Sequence, residues 1–240
     1  MIALIDYGAG NLTSVRKALT SLGAEFATPA SPSECGRFSA LIVPGVGNFA
    51  ATGALVGPWR EAIGSAVRSG TPLFGICLGM QWLFEGSDEA PEVPGLGVLP
   101  GRVVRLEGNA EERLKIPHVG WNTLTAPSGP ERSALQAVRG PTGSAPQEKR
   151  SAPRGKGSAP LETGLQGRIL AGLASGAHVY FTHSYAAPVT ADCVAETRHA
   201  DTFSAVVERG NVFGVQFHPE KSSETGLQII RNFLEVTRGC

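Results

Sequence analysis

The chain has 240 residues, 42% of them hydrophobic, which is enough to build one large domain with a full core. Its 21 Lys and Arg balance 21 Asp and Glu, so it lacks the basic excess with which proteins hold nucleic acid or an anionic membrane. No apolar run approaches the roughly 20 residues of a bilayer span, and MIALI opens directly as a strand; a cytoplasmic protein with no nucleic-acid or membrane partner is expected.

The first strand spans residues 1–5 and gives way to the loop Asp6-Tyr7-Gly8-Ala9-Gly10. A helix is predicted over 11–22. Asn11 is a good N-cap, Gly23 a good stop, and Leu12, Val15, Ala18, Leu19 and Leu22 fall at helical spacing. Glycines after a first strand invite a dinucleotide-binding reading, but the three-glycine fingerprint is absent. Strands over 25–28 and 40–43 come next, the second running into Pro44-Gly45-Val46-Gly47. A helix over 58–68 leads through Gly70 to the apolar run Pro72-Leu73-Phe74. Strands alternating with helices in this first part predict a parallel, doubly wound sheet.

Gly75-Ile76-Cys77-Leu78-Gly79 follows and is the most informative segment. A strand turns sharply into the helix-like run 80–85 at a cysteine, which is a nucleophile elbow with sulfur in place of a hydroxyl. The flanking glycines matter because a side chain there would collide across a tight, strained turn. The start of the helix aims free N–H groups at the sulfur, which favours the thiolate and places a donor beside any oxyanion. The alternative is a buried structural cysteine, the commoner fate in an apolar stretch.

Beyond Gly86 the pattern changes to strands with short loops, over 103–106, 118–124, 178–184, 192–197, 205–208 and 212–217. This half reads as α+β, with mixed or antiparallel strands. The strand over 212–217 runs straight into His218-Pro219-Glu220. A histidine at a strand tip is placed to be the general base for a thiol, and a carboxylate two residues on fixes its tautomer. Pro219 stiffens the pair. Cys77, His218 and Glu220, all at strand ends, therefore make a nucleophile, base and orienting group. Cys35, Cys193 and Cys240 are scattered without a close pair and read as structurally neutral; no zinc spacing and no nucleotide fingerprint occurs, so no metal or cofactor is expected. A last amphipathic helix over 223–236 carries Leu227, Ile230, Phe233 and Leu234 on one face. Between 126 and 160 the chain is rich in Pro, Gly, Ser and Ala, with six basic and two acidic residues. Such composition cannot offset chain entropy by burial, so we read a flexible insertion in a single domain covering 1–240, in preference to a polyanion-binding arm.

With these residues in place, GICLGMQ around Cys77 and FHPEKS around His218 resemble the two signature segments of the class I, triad-type glutamine amidotransferases. IDYGAGNLTSV, VPGVGNF, PHVGWN and YFTHSY narrow the resemblance to the glutaminase subunits of imidazole glycerol phosphate synthases. It covers nearly the whole chain outside 126–160. The fold implied is α/β and flavodoxin-like, a mostly parallel sheet flanked by helices, with mixed and antiparallel strands in the C-terminal half. The implied chemistry is hydrolysis of L-glutamine through a Cys77 thioester, with His218 moving the proton and Glu220 holding the imidazole. Oxyanion donors would be the backbone N–H groups of Leu78 and Val46, and the glycines beside Val46 let that peptide reorient at low steric cost. The resemblance assigns substrate contacts to Gly47, Gln81, Glu85, His183, Ser184 and Tyr185. Gln81 and Glu85 are four apart, hence on one helix face, with Glu85 suited to the α-ammonium. His178 and His199 receive no catalytic role.

The chain carries no second active site for ammonia, so the resemblance also implies a partner, a separate (β/α)8-barrel cyclase subunit in a heterodimer. That subunit would form imidazole glycerol phosphate and aminoimidazole carboxamide ribotide, in histidine biosynthesis. Asn11, Pro117, His118, Gly120, Trp121 and Asn122 are the expected docking face, with Trp121 as an anchor. Two other readings compete. One is the glutaminase subunit of another ammonia-using synthase, for pyridoxal phosphate, anthranilate or GMP; the other is a cysteine peptidase or deglycase on a related fold. IDYGAGNLTSV with PHVGWN disfavours the first, and HPE paired with Gln81 the second.

Overall fold

The computed structural model describes residues 1–108, 114–128 and 164–238. All but the first three residues of the expected insertion, and Cys240, lie outside them. The first half alternates as predicted: β1 (Ile2–Leu4), α1 (Leu12–Ser21), β2 (Phe26–Ala27), β3 (Ala40–Val43), α2 (Pro58–Arg68), β4 (Leu73–Ile76) and α3 (Leu78–Trp82). The second half is richer in strands: β5 (Gly86–Ser87), β6 (Ala90–Pro94), β7 (Arg102–Arg105), β8 (His118–Thr123), β9 (His178–His183), β10 (Tyr185–Ala186), β11 (Cys193–His199), β12 (Asp201–Arg209) and β13 (Val212–Val215), closed by α4 (Ser223–Val236). Asn11 caps α1 through its side chain, which accepts from the Ser14 amide, and Gly23 adopts φ 67° just past its end.

Seven strands form the main sheet in the order β11-β12-β13-β4-β3-β1-β2. The run from β13 to β2 is parallel, and β11 and β12 extend it as an antiparallel edge. Buried strands alternate between its two faces. Ile2 and Leu4 pack with Val15 and Leu19 of α1 and Ile230 and Phe233 of α4. Ala3 and Ile5 pack with Ile63 and Val67 of α2 and Met80 and Trp82 of α3. Two smaller sheets sit beside it: β10-β7-β5-β6 and the antiparallel pair β8-β9.

Two sequence expectations change. The strand expected over 178–184 forms as β9, but the hairpin β5-β6, whose strands are only two and five residues long, was not anticipated. The helix after the elbow stops at Trp82 rather than running to residue 85. Its last carbonyls are taken by a neighbouring loop: Leu96 N–H donates to Trp82 O, Gly97 N–H to Phe84 O, and Val98 and Leu99 N–H to Leu83 O. Those donors replace the next helical turn.

The elbow itself is seated by backbone contacts that leave no room for a Cβ. One built on Gly79 would overlap the Val43 carbonyl of β3, and one on Gly75 would lie 2.6 Å from the Gly79 carbonyl oxygen. Both obstacles are main chain and cannot rotate away. We therefore expect Gly79→Ala and Gly75→Ala to lower unfolding stability by about 3 kcal/mol or more. Gly36→Ala, with no atom within 4 Å of its Cβ, should stay near the native urea midpoint and serves as the control.

Candidate active site

Cys77 stands between β4 and α3 with φ 51° and ψ −106°, a backbone that an L-residue holds only under constraint. Its N–H donates to Val215 O at 2.8 Å, and its carbonyl accepts from Gln81 N–H at 3.0 Å. The side chain is 5% exposed. β13 lies parallel beside β4 with Val215 opposite Ile76, so the residues just past β13 arrive next to the cysteine. That register carries His218 to the elbow.

His218 Nδ1 and Glu220 Oε1 are 2.9 Å apart, both side chains 1% exposed. The carboxylate accepts, so Nδ1 carries the hydrogen and Nε2 is left for the thiol side. Nε2 is buried and, among the described residues, forms no hydrogen bond of ordinary geometry with nitrogen or oxygen. Burial alone would lower the His218 pKa, but hydrogen bonding and charge from Cys77 and Glu220 override it and push it up to about 10. A histidine held so far above its ordinary range carries its proton at neutral pH.

The two expected oxyanion donors are not both presented. Leu78 N–H donates to the Gly45 carbonyl at 3.3 Å. Gly45 O and Val46 N–H belong to one planar trans peptide and point in opposite directions, so the Val46 N–H faces away from Leu78. The Leu78 N–H is thus taken by a main-chain carbonyl.

A cavity of about 240 Å³ opens over the sulfur, lined by Gly47, Cys77, Leu78, Gln81, Glu89, Pro117, Thr182, His183, Ser184 and Tyr185. Five of the six expected substrate contacts therefore meet there. Glu85 does not: it lies past the end of α3 and is exposed. The carboxylate at the cavity is Glu89, placed by the β5-β6 hairpin, with Oε2 accepting from Phe49 N–H at 2.8 Å. Sequence reasoning missed it because no helical or strand period links Glu89 to Cys77.

His183 belongs to a buried pair. Its Nδ1 lies 2.9 Å from Tyr185 O, a carbonyl that only accepts, so Nδ1 holds the proton and neutral Nε2 accepts from His118 Nδ1 at 3.2 Å. His118 Nε2 in turn faces Asn122 Nδ2 at 3.3 Å. Burial, aided by neighbouring histidines, lowers His118 to about 4 and His183 to about 3. His118 is 3% exposed, which removes it from the expected docking face, where Trp121 at 52% and Val119 at 57% stand out instead. Strand alternation on β8 explains the exchange: 118 faces inward, 119 and 121 outward. Asn11, Gly120 and Asn122 are half-buried and Pro117 is exposed.

The chain matches the family described as glutamine amidotransferase class-I over residues 3–236. It is 39% identical to the imidazole glycerol phosphate synthase subunit HisH of Natronomonas pharaonis, across 98% of this chain and 94% of that protein. The subunit of the same name from Geobacillus thermodenitrificans is 40% identical, across 100% and 97% respectively. Among solved structures, a crystal structure of a glutamine amidotransferase aligns with TM-score 0.62 at 21% identity, covering 99% of this chain and 100% of that one. PurLQS from Thermotoga maritima aligns with TM-score 0.63 at 17% identity, covering 98% and 97%. At such identities the two structures bear on the fold alone.

The buried pair has a consequence for acid stability. Below the ordinary histidine value of about 6.5 the unfolded chain binds protons that folded His118 and His183 refuse, so stability falls as pH drops from 6.5 toward 4. Each contributes a slope of up to about 1.4 kcal/mol per pH unit. His218, raised instead of lowered, opposes this slope near and above pH 6.5, where the unfolded imidazole loses its proton, and adds none below about pH 5.5, where both states are protonated. Thermal melts across pH 7 to 4.5 should show the decline, and His118→Gln should make it shallower than in the native chain.

Proposed function

We propose, on the premise that this chain belongs to the class I glutamine amidotransferases and to their imidazole glycerol phosphate synthase subunits, that it hydrolyses L-glutamine at Cys77 and hands the ammonia to a separate cyclase. It is the glutaminase of that synthase and works in histidine biosynthesis. The observation that carries the catalytic assignment is the buried Cys77, beside the buried His218–Glu220 pair and opening on a cavity that Gln81 and the Glu89 carboxylate also line.

On this reading the Cys77 thiolate attacks the side-chain amide carbon, and the carbonyl pair of electrons moves to oxygen. Leu78 N–H receives that oxyanion, together with Val46 N–H once the Gly45–Val46 peptide has turned. The tetrahedral intermediate collapses, the C–N bond breaks, and His218 gives its proton to the departing ammonia. His218 then takes a proton from water, whose oxygen attacks the thioester, and glutamate leaves as the C–S bond breaks. Glu220 holds the imidazole throughout. Glu89, in place of Glu85, answers the α-ammonium of the substrate, and Gly47, Gln81 and the segment His183, Ser184 and Tyr185 surround the rest. The whole chain acts as one glutaminase domain.

The partner we propose is a (β/α)8-barrel cyclase subunit docked on the exposed face of β8. Trp121 and Val119 are two of the four large hydrophobics that stand exposed among the described residues; Gly120 and Asn122 lie on the other face of β8 with His118, and Asn11, Pro117, Gly120 and Asn122 are proposed for the rim of the contact. Trp is favoured as an interface anchor. Partner binding then has a defined task, to favour the peptide orientation that turns Val46 N–H inward.

Two measurements test this. Cys77→Ala should abolish glutamine-dependent synthesis by the complex and spare synthesis from added ammonium salt; glutaminase activity surviving in the variant excludes the thioester. A missing oxyanion donor costs about 10²–10³ in rate, so turnover should be low for the chain alone and rise by about that factor with the cyclase and its nucleotide ligand. Val46→Pro removes the N–H and should hold the stimulated rate near the basal one; a full rate from the isolated chain rejects the switch and leaves the triad intact.

A further inference from the structure

Gln216 is fully buried immediately beyond β13, and the mechanism above gives it no part. Its Nε2 lies 3.8 Å from Cys77 Sγ, within hydrogen-bonding range for sulfur. Among the described residues this nitrogen has no other hydrogen-bond partner. Which end of the amide faces the sulfur follows from the network. Gln81 Nε2 donates to Tyr185 O at 2.8 Å, and because a carbonyl only accepts, the nitrogen end of Gln81 is fixed. That same nitrogen lies 3.1 Å from Gln216 Oε1, which must therefore be the acceptor end. The NH₂ of Gln216 is left for Cys77.

We propose that Gln216 is a further catalytic residue, an uncharged N–H donor that stabilises the Cys77 thiolate and holds its sulfur toward the substrate amide. A neutral thiol is a weak acceptor and a thiolate a strong, charged one, so one donor favours the ionised form over the protonated one. An amide does this without adding a cation, which leaves His218 as the group that carries and returns the proton. Gln81 sets the orientation: both of its N–H bonds go to Tyr185 O and Gln216 Oε1, and its own oxygen stays available to the cavity that it lines. A strand residue that packed only for shape would place no donor on the nucleophile. The inference rests on Cys77 being the reacting group and on nothing about the ammonia acceptor.

The test is the pH profile of Cys77 alkylation by iodoacetamide in the full chain, followed by mass spectrometry of the Cys77 peptide so that the other cysteines do not contribute. Hydrogen bonds to charged groups are worth enough to move an ionisation by about one unit or more. Gln216→Met, similar in size and without the donor, should move the profile up by about one pH unit and lower glutaminase kcat in the cyclase complex about tenfold near neutrality, with KM little changed. The deficit should close as pH rises and the thiolate forms unaided, whereas a packing defect would persist at every pH. An alkylation profile superimposable on the native one, or a deficit constant with pH, overturns the proposal. If Gln216→Met does not fold, Gln81→Met releases the Gln216 amide and should shift the profile in the same direction; an unchanged profile there overturns the proposal equally. Alkylation requires no glutamine, so a native complex that fails to hydrolyse glutamine refutes the assigned activity and is told apart from a failure of Gln216.

Discussion

The proposed active site depends on one backbone conformation, the left-handed φ of Cys77. A non-glycine residue held there costs on the order of 1–3 kcal/mol and persists only where the surroundings over-determine it. Here they do. β13 holds the cysteine amide through Val215 O, α3 returns to its carbonyl through Gln81 N–H, and glycine at 75 and 79 lets β3, β4 and α3 meet main chain to main chain. The parallel sheet is the frame for this contact: β4 sits between β3 and β13, so one neighbour brings the Gly45 peptide and the other brings Gln216 and His218 to the same sulfur.

How much of this was legible in the sequence follows from the range of the forces involved. The elbow glycines, the Asn11 cap and the helix–strand alternation are local and were readable. His218-Pro219-Glu220 was readable too, because orienting group and base are two residues apart and need no tertiary knowledge to be paired. The end of α3 was not, since helical periodicity continues past Trp82 and the donors that stop it come from residues 96–99. The same early stop keeps Glu85 from the cavity, where the carboxylate is Glu89, on a hairpin too short to announce itself. His118 was misplaced by one strand face, an error that a single-residue register decides. Gln216 is the extreme case: its side chain reaches the Cys77 sulfur because of strand pairing across more than a hundred residues of chain, and nothing in QFHPE distinguishes it from a buried strand residue.

The five histidines show how environment, not residue type, assigns the chemistry. His118 and His183 face each other and an aromatic wall, with Phe181 stacked on His118 at 4.7 Å and Phe203 edge-on to His183 at 5.0 Å. Burial without a counter-charge keeps both neutral. His218 is buried as well, yet it lies between a thiol and a carboxylate, and those partners reverse the sign. The neutral pair consequently adds no positive charge beside the cavity, and its directed hydrogen bonds end on Tyr185 O, the same carbonyl that anchors Gln81. Structural histidines thus hold the polar floor on which the reactive one works, a division set by which groups share the burial.

On the proposed reading, the energetics of the Gly45–Val46 peptide would let so small a feature govern turnover. The bond it makes in the observed state, Leu78 N–H to Gly45 O at 3.3 Å, is of a kind worth about 1 kcal/mol net. The donor it withholds from an oxyanion is worth about 3–4 kcal/mol of barrier. Turning the peptide therefore gives up little in the resting chain and gains much in the transition state, so the resting bias needs to be only modest to be released by a partner. A few kcal/mol of preferential binding to the turned state is within the range of a single interface rearrangement. Glycine on both sides of Val46 keeps either orientation free of Cβ strain, and Gly47 already holds φ 103°. A bulkier or stiffer loop would fix one state permanently: always idle, or always consuming glutamine. On the proposed reading, the PGVG segment avoids both extremes, as a glutaminase that must wait for its acceptor requires.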